Sequence, residues 1–170
     1  MASKEPAWLA FARQQIGVRE TVGPKHSPVI MGWVQKLGAK VLGIKVVDDE
    51  TAWCGTFVAM CMMIAGLASP PIAVRASSWA TWGRELLGPR LGCVLVFTRT
   101  GGGHVGFYIG EDATHFHVLG GNQGNAVSIT RIAKARLAKG GMRWPAGVAL
   151  PAVQVIRLNA AGVPVTVNEA

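Results

Sequence analysis

The chain predicts an α+β fold, and three observations carry that prediction. Apolar residues recur at helical spacing through the first third, one segment near residue 60 is apolar around most of its circumference, and from residue 93 the apolar period changes to two. Helices followed by strands argue for an antiparallel sheet with the large apolar helix packed on it.

The first helix follows Pro6, with Trp8, Leu9, Ala12 and Ile16 on one face and Gly17 as its stop. The second has sharper limits: Ser27 as N-cap, Pro28 at the first helical position, Ile30, Trp33, Val34 and Leu37 at helical spacing, and Gly38 as terminator. "GAKVLGIKVVDDE" then breaks the pattern with glycine and charge. Asp49 or Thr51 can cap a third helix over 52–64, ended by Gly66 and carrying Trp53, Phe57, Val58 and a Met-rich end. A helix apolar on so many sides belongs at the centre of the fold. A short helix over 77–86, capped by Ser77 or Ser78, precedes four β-rich runs: "CVLVFT", "HVGFYIG", "HFHVLG" and "AVSITR". Glycine-rich or acidic turns separate them, so they form an antiparallel meander. Residues 1–150 read as one domain, and 151–170 as an extension, either a hairpin around Ala160 and Gly162 or a flexible tail.

The chain has 170 residues, half of them hydrophobic and 15% charged, which is enough for one substantial core. No apolar run reaches the roughly 18 residues of a membrane span, so no stable membrane insertion is expected. The start, "MASKEPAWLAFARQQ", has Glu and Pro where a signal peptide has its apolar region, so synthesis in the cytoplasm without a signal peptide is expected. Cys54, Cys61 and Cys93 cannot all pair, and no zinc-type spacing joins them, which argues against a disulfide scaffold and for no cofactor. The formal charge of +8 and a pI near 10.0 draw the surface to polyanions. Basic residues are scattered and not interleaved with aromatics, against the pattern of a nucleic-acid reader. The one dense run, "RIAKARLAKGGMR", fits a solvated helix face or a contact with an acidic polymer, and bacterial envelopes are such polymers.

"DDETAWCGTFVAM" raises the question of chemistry. Cys54 follows a turn and opens the third helix, where unpaired N–H groups favour a thiolate; it is either a packing residue or a nucleophile. Cys61 and Cys93 have no such setting. A nucleophilic cysteine needs a base, and the base needs an orienting group. His26 reads as a surface residue, whereas His104 opens a strand directly after "TRTGGG", where glycines admit a ligand or another segment close to the backbone. His115 and His117 share one strand face, which is polar and solvated, part of a site, or a source of metal ligands. The turn "GGNQGN" offers Asn122 and Gln123, either of which can hold an imidazole through its side-chain carbonyl, although turn chemistry alone also accounts for them.

"WCGTFVAMCMMIAG", followed about fifty residues later by "GHVGFYIG" after a "GCVLVF" strand, resembles the NlpC-type and CHAP-type cysteine peptidoglycan hydrolases, in particular the compact endolysin forms carried by bacteriophages. "DDETAWC" and "VLGGNQGNAVSI" fall in the matching places, and the resemblance spans residues 8–145. It implies a papain-like core with N-terminal helices, a central helix carrying the cysteine and an antiparallel sheet. It also implies Cys54 as nucleophile, His104 as general base and Asn122 as orienter, with His117 and Gln123 as the other candidates for that third role. "WCGTF" departs from the Asp-Cys-Ser-Gly-Phe of many relatives, so Trp53 lines the substrate groove or packs in the core. Trp53, Gln123 and His117 are the candidate substrate contacts.

The implied activity is hydrolysis of an amide of the wall stem peptide, at the muramoyl–alanine bond or within the peptide. A monomeric phage lysin made without a signal peptide would act in the periplasm or wall after release. An interbacterial amidase toxin, a non-catalytic wall-binding or phage-tail module, and a zinc hydrolase using His104, His115 and His117 are the alternatives.

Overall fold

The computed structural model describes residues 4–160 and shows an α+β architecture, with three helices preceding a six-stranded antiparallel sheet. Helix α1 (Ala7–Gln14) buries Trp8, Leu9 and Ala12, while Ile16 lies beyond its end and is 46% exposed, off the expected packing face. Trp8 anchors it twice, meeting Trp144 edge to face and donating its indole N–H to the Gly92 carbonyl at 2.8 Å.

Helix α2 (Pro28–Leu42) starts as the sequence indicates, with Ser27 Oγ accepting from the Ile30 amide and proline in the first turn. Gly38 does not terminate it. Its φ of 76° and ψ of 164° make a kink, and the helix resumes to Leu42 before Gly43, at φ 85°, ends it.

Helix α3 (Cys54–Ile64) is the central element, buried from Cys54 through Met62. Phe57 joins it to α2 through Trp33 and to the sheet through Phe107, with ring centroids 5.6 and 6.3 Å apart. Each such fully buried side chain contributes roughly 1.5–3 kcal/mol to the fold. Neither Asp49 nor Thr51 caps this helix. Asp49 is fully buried, where it accepts from the Thr21 and Ser27 amides and meets His26 Nδ1 at 3.1 Å. The imidazole of His26 is consequently half-buried rather than a free surface group. Thr51 closes a local turn on Asp48 instead.

The helix expected over 77–86 is a 3₁₀ turn, Ala76–Thr81, with no side-chain cap, followed by the two-residue strand β1 (Arg84–Glu85). The meander is present as β2 (Val94–Arg99), β3 (Gly102–Glu111), β4 (His115–Gly120) and β5 (Ser128–Ala133). The basic run 131–143 is not a helix. It is the end of β5, a 3₁₀ turn (Lys134–Arg136) and a sixth strand, β6 (Leu137–Trp144), which pairs with β2. The sheet order is β1-β6-β2-β3-β4-β5, so β2 and β3 are central.

Past residue 150 the described chain lies along the end of β3: the Glu111 amide donates to the Ile156 carbonyl at 2.7 Å, and the Leu158 amide to the Glu111 carbonyl at 2.8 Å. Except for Ala160, the hairpin expected around Ala160 and Gly162 lies outside the described residues. No helix among the described residues is long and apolar enough to cross a membrane.

Candidate active site

Cys54 occupies the first position of α3, where Trp53 is the N-cap and supplies no side-chain hydrogen bond. No acidic side chain enters the first turn, so the amides there stay available to an anion. The thiol accepts from the backbone amide of Val105 in β3, which sets the sulfur against the strand one residue from His104. The helix end and the strand thus bring a thiol and an imidazole to one junction.

His104 is fully buried, with its ring stacked near Phe97 on β2. Its Nε2 lies 2.9 Å from Gln123 Oε1. The hydrogen positions follow from what else Gln123 does. Its amide nitrogen donates to the Val118 carbonyl at 3.1 Å and to the Ser128 carbonyl at 2.7 Å, so the oxygen is the end turned to the ring. An oxygen can only accept, so Nε2 carries the hydrogen, and in the neutral imidazole Nδ1 is left with a bare lone pair. That nitrogen is buried and has no hydrogen-bond partner. It is the basic atom of the pair.

Glycine makes room for this arrangement. A Cβ on Gly120 would stand 2.6 Å from Gln123 Oε1 and 3.3 Å from His104 Nε2, where only a bare backbone fits.

The side chain that meets His104 is not the expected Asn122. Gln123, not Asn122, holds His104. Asn122 takes a left-handed turn conformation at φ 59°, a role its side chain tolerates, and its buried Oδ1 makes no hydrogen bond. His117 is fully buried, not solvated, and is bound elsewhere: its Nε2 meets Asp112 Oδ2 at 2.8 Å, and the same carboxylate oxygen accepts from Arg131 Nε at 2.7 Å. In register it sits opposite Gly110, at the far end of β3 from His104, about 20 Å along the strand. His115 belongs to that cluster through Thr114 and Arg131. Histidines 104, 115 and 117 are thus not gathered, and no group of three His, Cys, Asp or Glu residues among the described ones is arranged to hold a metal ion. Trp53 packs in the core at 2% exposure, beside Trp33, with its indole N–H on Glu20 Oε1, and does not line a groove.

Burial decides the protonation states. It pushes the Cys54 thiol up, against the amides of Val105 and Gly55 and the charge of Arg99, so enclosure outweighs the helix end that would favour a thiolate. Burial likewise pushes His104 down to about 4, although its bond to Gln123 opposes this. At neutral pH the resting pair is a thiol and a neutral imidazole, and no hydrogen bond yet joins Sγ to Nδ1. Cys61 and Cys93 are also buried, the latter pushed up to about 12 by desolvation.

Cys54 opens on a groove of about 580 Å³ whose walls include Ala76, Ser77, Phe97, Arg75, Arg99 and the 101–103 glycines. The two arginines were not singled out by sequence reasoning. Only their positions, one before the 3₁₀ turn and one ending β2, bring them to the cysteine.

Compared with protein-family descriptions, curated proteins and solved structures, the chain matches none.

Proposed function

We propose that the protein is a cysteine amidohydrolase or peptidase that hydrolyses an amide of the peptidoglycan stem peptide. The observation that carries this reading is the fixed tautomer of His104, which leaves Nδ1 bare on β3 one residue from Val105, whose backbone amide acts on the thiol at the uncapped start of α3. A structural histidine has no need of a dedicated glutamine that leaves one ring nitrogen bare.

The steps follow from the resting states. With substrate in the groove, Cys54 Sγ attacks the amide carbonyl carbon while its proton passes to His104 Nδ1, so charge forms during attack and not before it. The free amides at the start of α3 donate to the developing oxyanion. His104 then gives its proton to the leaving amine, the C–N bond breaks, and a thioester remains. Water, deprotonated by His104, attacks the thioester; the carboxylic acid departs and the thiol is restored. Gln123 Oε1 accepts from Nε2–H throughout and stabilises the transient imidazolium.

The setting we propose is that of a monomeric phage lysin, produced in the host cytoplasm, that acts on the wall after release; the net charge of +8 favours contact with an anionic envelope. The test is clearance of purified sacculi. Wild type should clear them with or without chelator, while C54A, folded to the same extent, should fall by at least three orders of magnitude. Full clearance by C54A would refute the thiol mechanism.

A further inference from the structure

We propose that the groove beside Cys54 selects an anionic substrate, with Arg99 and Arg75 binding a carboxylate close to the scissile amide. This rests on the hydrolase reading and narrows it to one substrate chemistry.

Both arginines line the groove together with Cys54, and none of its described lining residues is acidic. Elsewhere half-buried Arg131 and Lys134 pair with Asp112 and Glu111, and the guanidinium groups of Arg143 and Arg90 are taken up by backbone carbonyls. Neither Arg99 nor Arg75 forms an ion pair among the described residues. Arg99 is half-buried and anchored through Nε on the Gly103 carbonyl at 3.3 Å, which leaves the outer guanidinium nitrogens to a ligand. An arginine so held is pre-set for two-point recognition of a carboxylate. The remaining walls are largely apolar, from Ala76, Ala80, Val96 and Phe97, and an occupant excludes water from them, which strengthens the contact. Arg99 also bears on the chemistry, since its charge opposes the burial that pushes the Cys54 thiol up. A bound carboxylate would offset that charge while aligning the amide.

The carboxylate can be the peptide's terminal α-carboxylate or a side-chain carboxylate, and amidation separates the two. Matched soluble stem peptides with all carboxylates free, with only the α-carboxylate amidated, and with only the side-chain carboxylates amidated serve as substrates. The expected result is a kcat/KM lower by on the order of 10- to 100-fold for one amidated peptide, the loss of a charge-assisted bidentate contact. In R99Q, and separately in R75Q, that preference should collapse towards unity. Equal rates on all three peptides by an active wild type would overturn the inference and leave the hydrolase reading intact.

A second measurement needs no turnover. The rates at which iodoacetate and iodoacetamide alkylate Cys54 form a ratio that reports anion binding next to the thiol. It should exceed that of a small free thiol several-fold and drop in R99Q and R75Q. Should the wild type cleave no wall substrate, the hydrolase reading fails, and this ratio alone decides the anion site: a ratio unchanged by either substitution overturns it.

Discussion

Removing the proton equilibrium of one buried imidazole tests the site without any assumption about substrate. In the folded protein His104 has a pKa near 4, whereas in the unfolded chain it returns to about 6.5. Between those values the unfolded state holds a proton that the folded state lacks, so stability falls as pH drops through 6.5 towards 4. Two and a half units correspond to about 3 kcal/mol once both states are titrated, of which about 2 kcal/mol is already lost at pH 5. His115 is also displaced downward by burial and adds with the same sign, and the depressed carboxylates of Asp112 and Glu111 act only below about pH 4.5. These contributions are shared by a variant that lacks only the imidazole. Urea unfolding of wild type and H104Q, followed by tryptophan fluorescence at pH 8, 6.5 and 5, therefore isolates the term as a difference. Wild type should lose about 2 kcal/mol more than H104Q between pH 8 and 5. A direct check is the imidazole ¹⁵N spectrum of the folded wild type, which should show the Nε2–H tautomer down to pH 5. A difference that stays flat with pH, or a His104 resonance titrating near 6.5, would refute the reasoning.

The other predictions concern the same junction. Q123A should lower kcat by one to three orders of magnitude, about 1.4 to 4 kcal/mol, and move the His104 pKa further down because an acceptor for Nε2–H is lost; N122A and H117A should leave kcat within a few-fold, and the reverse ranking in sacculus kinetics would unseat Gln123. G120A should displace the Gln123 amide at a cost of about 1–3 kcal/mol in stability and reduce activity more than that loss of folded protein explains, as measured by kinetics and thermal unfolding on the same samples. Iodoacetamide should modify Cys54 first, since it alone among the three cysteines opens on the groove, and mass mapping that found Cys61 or Cys93 labelled earlier would contradict the assigned geometry.

Much of the fold was legible because its signals are local. Ser27-Pro28 and the alternating runs at 94–120 state their conformation within a few residues, and the α2 start and the β2 to β5 meander follow them. Strand β6 was not legible. Its sequence, LAKGGMRW, interrupts alternation with two glycines inside a basic run, and it becomes a strand because β2 offers a free edge to pair with. Cys54 and His104 stood out from helix-start chemistry and from the glycines before the strand. The choice between Asn122 and Gln123 lay beyond the sequence because both sit in one turn. It depends on backbone handedness: Asn122 absorbs the left-handed step, and the next side chain is turned under the sheet to the ring. The protonation states were misread from the helix end alone, because enclosure by β3 is a tertiary effect.

Glu20 accepts the Trp53 indole N–H while its own amide donates to the Asn125 carbonyl, so one residue ties the start of α3 to the turn that carries Gln123. That brace has a consequence for biosynthesis. The ribosome releases the thiol and its helix long before the base, and the base before the glutamine that fixes its tautomer. A nascent chain thus carries an unassisted cysteine, and the alignment of cysteine, histidine and glutamine is completed only when the last strands close the sheet against a segment made at the outset. If the proposed hydrolase reading holds, a chain of this architecture is inert for most of its own synthesis.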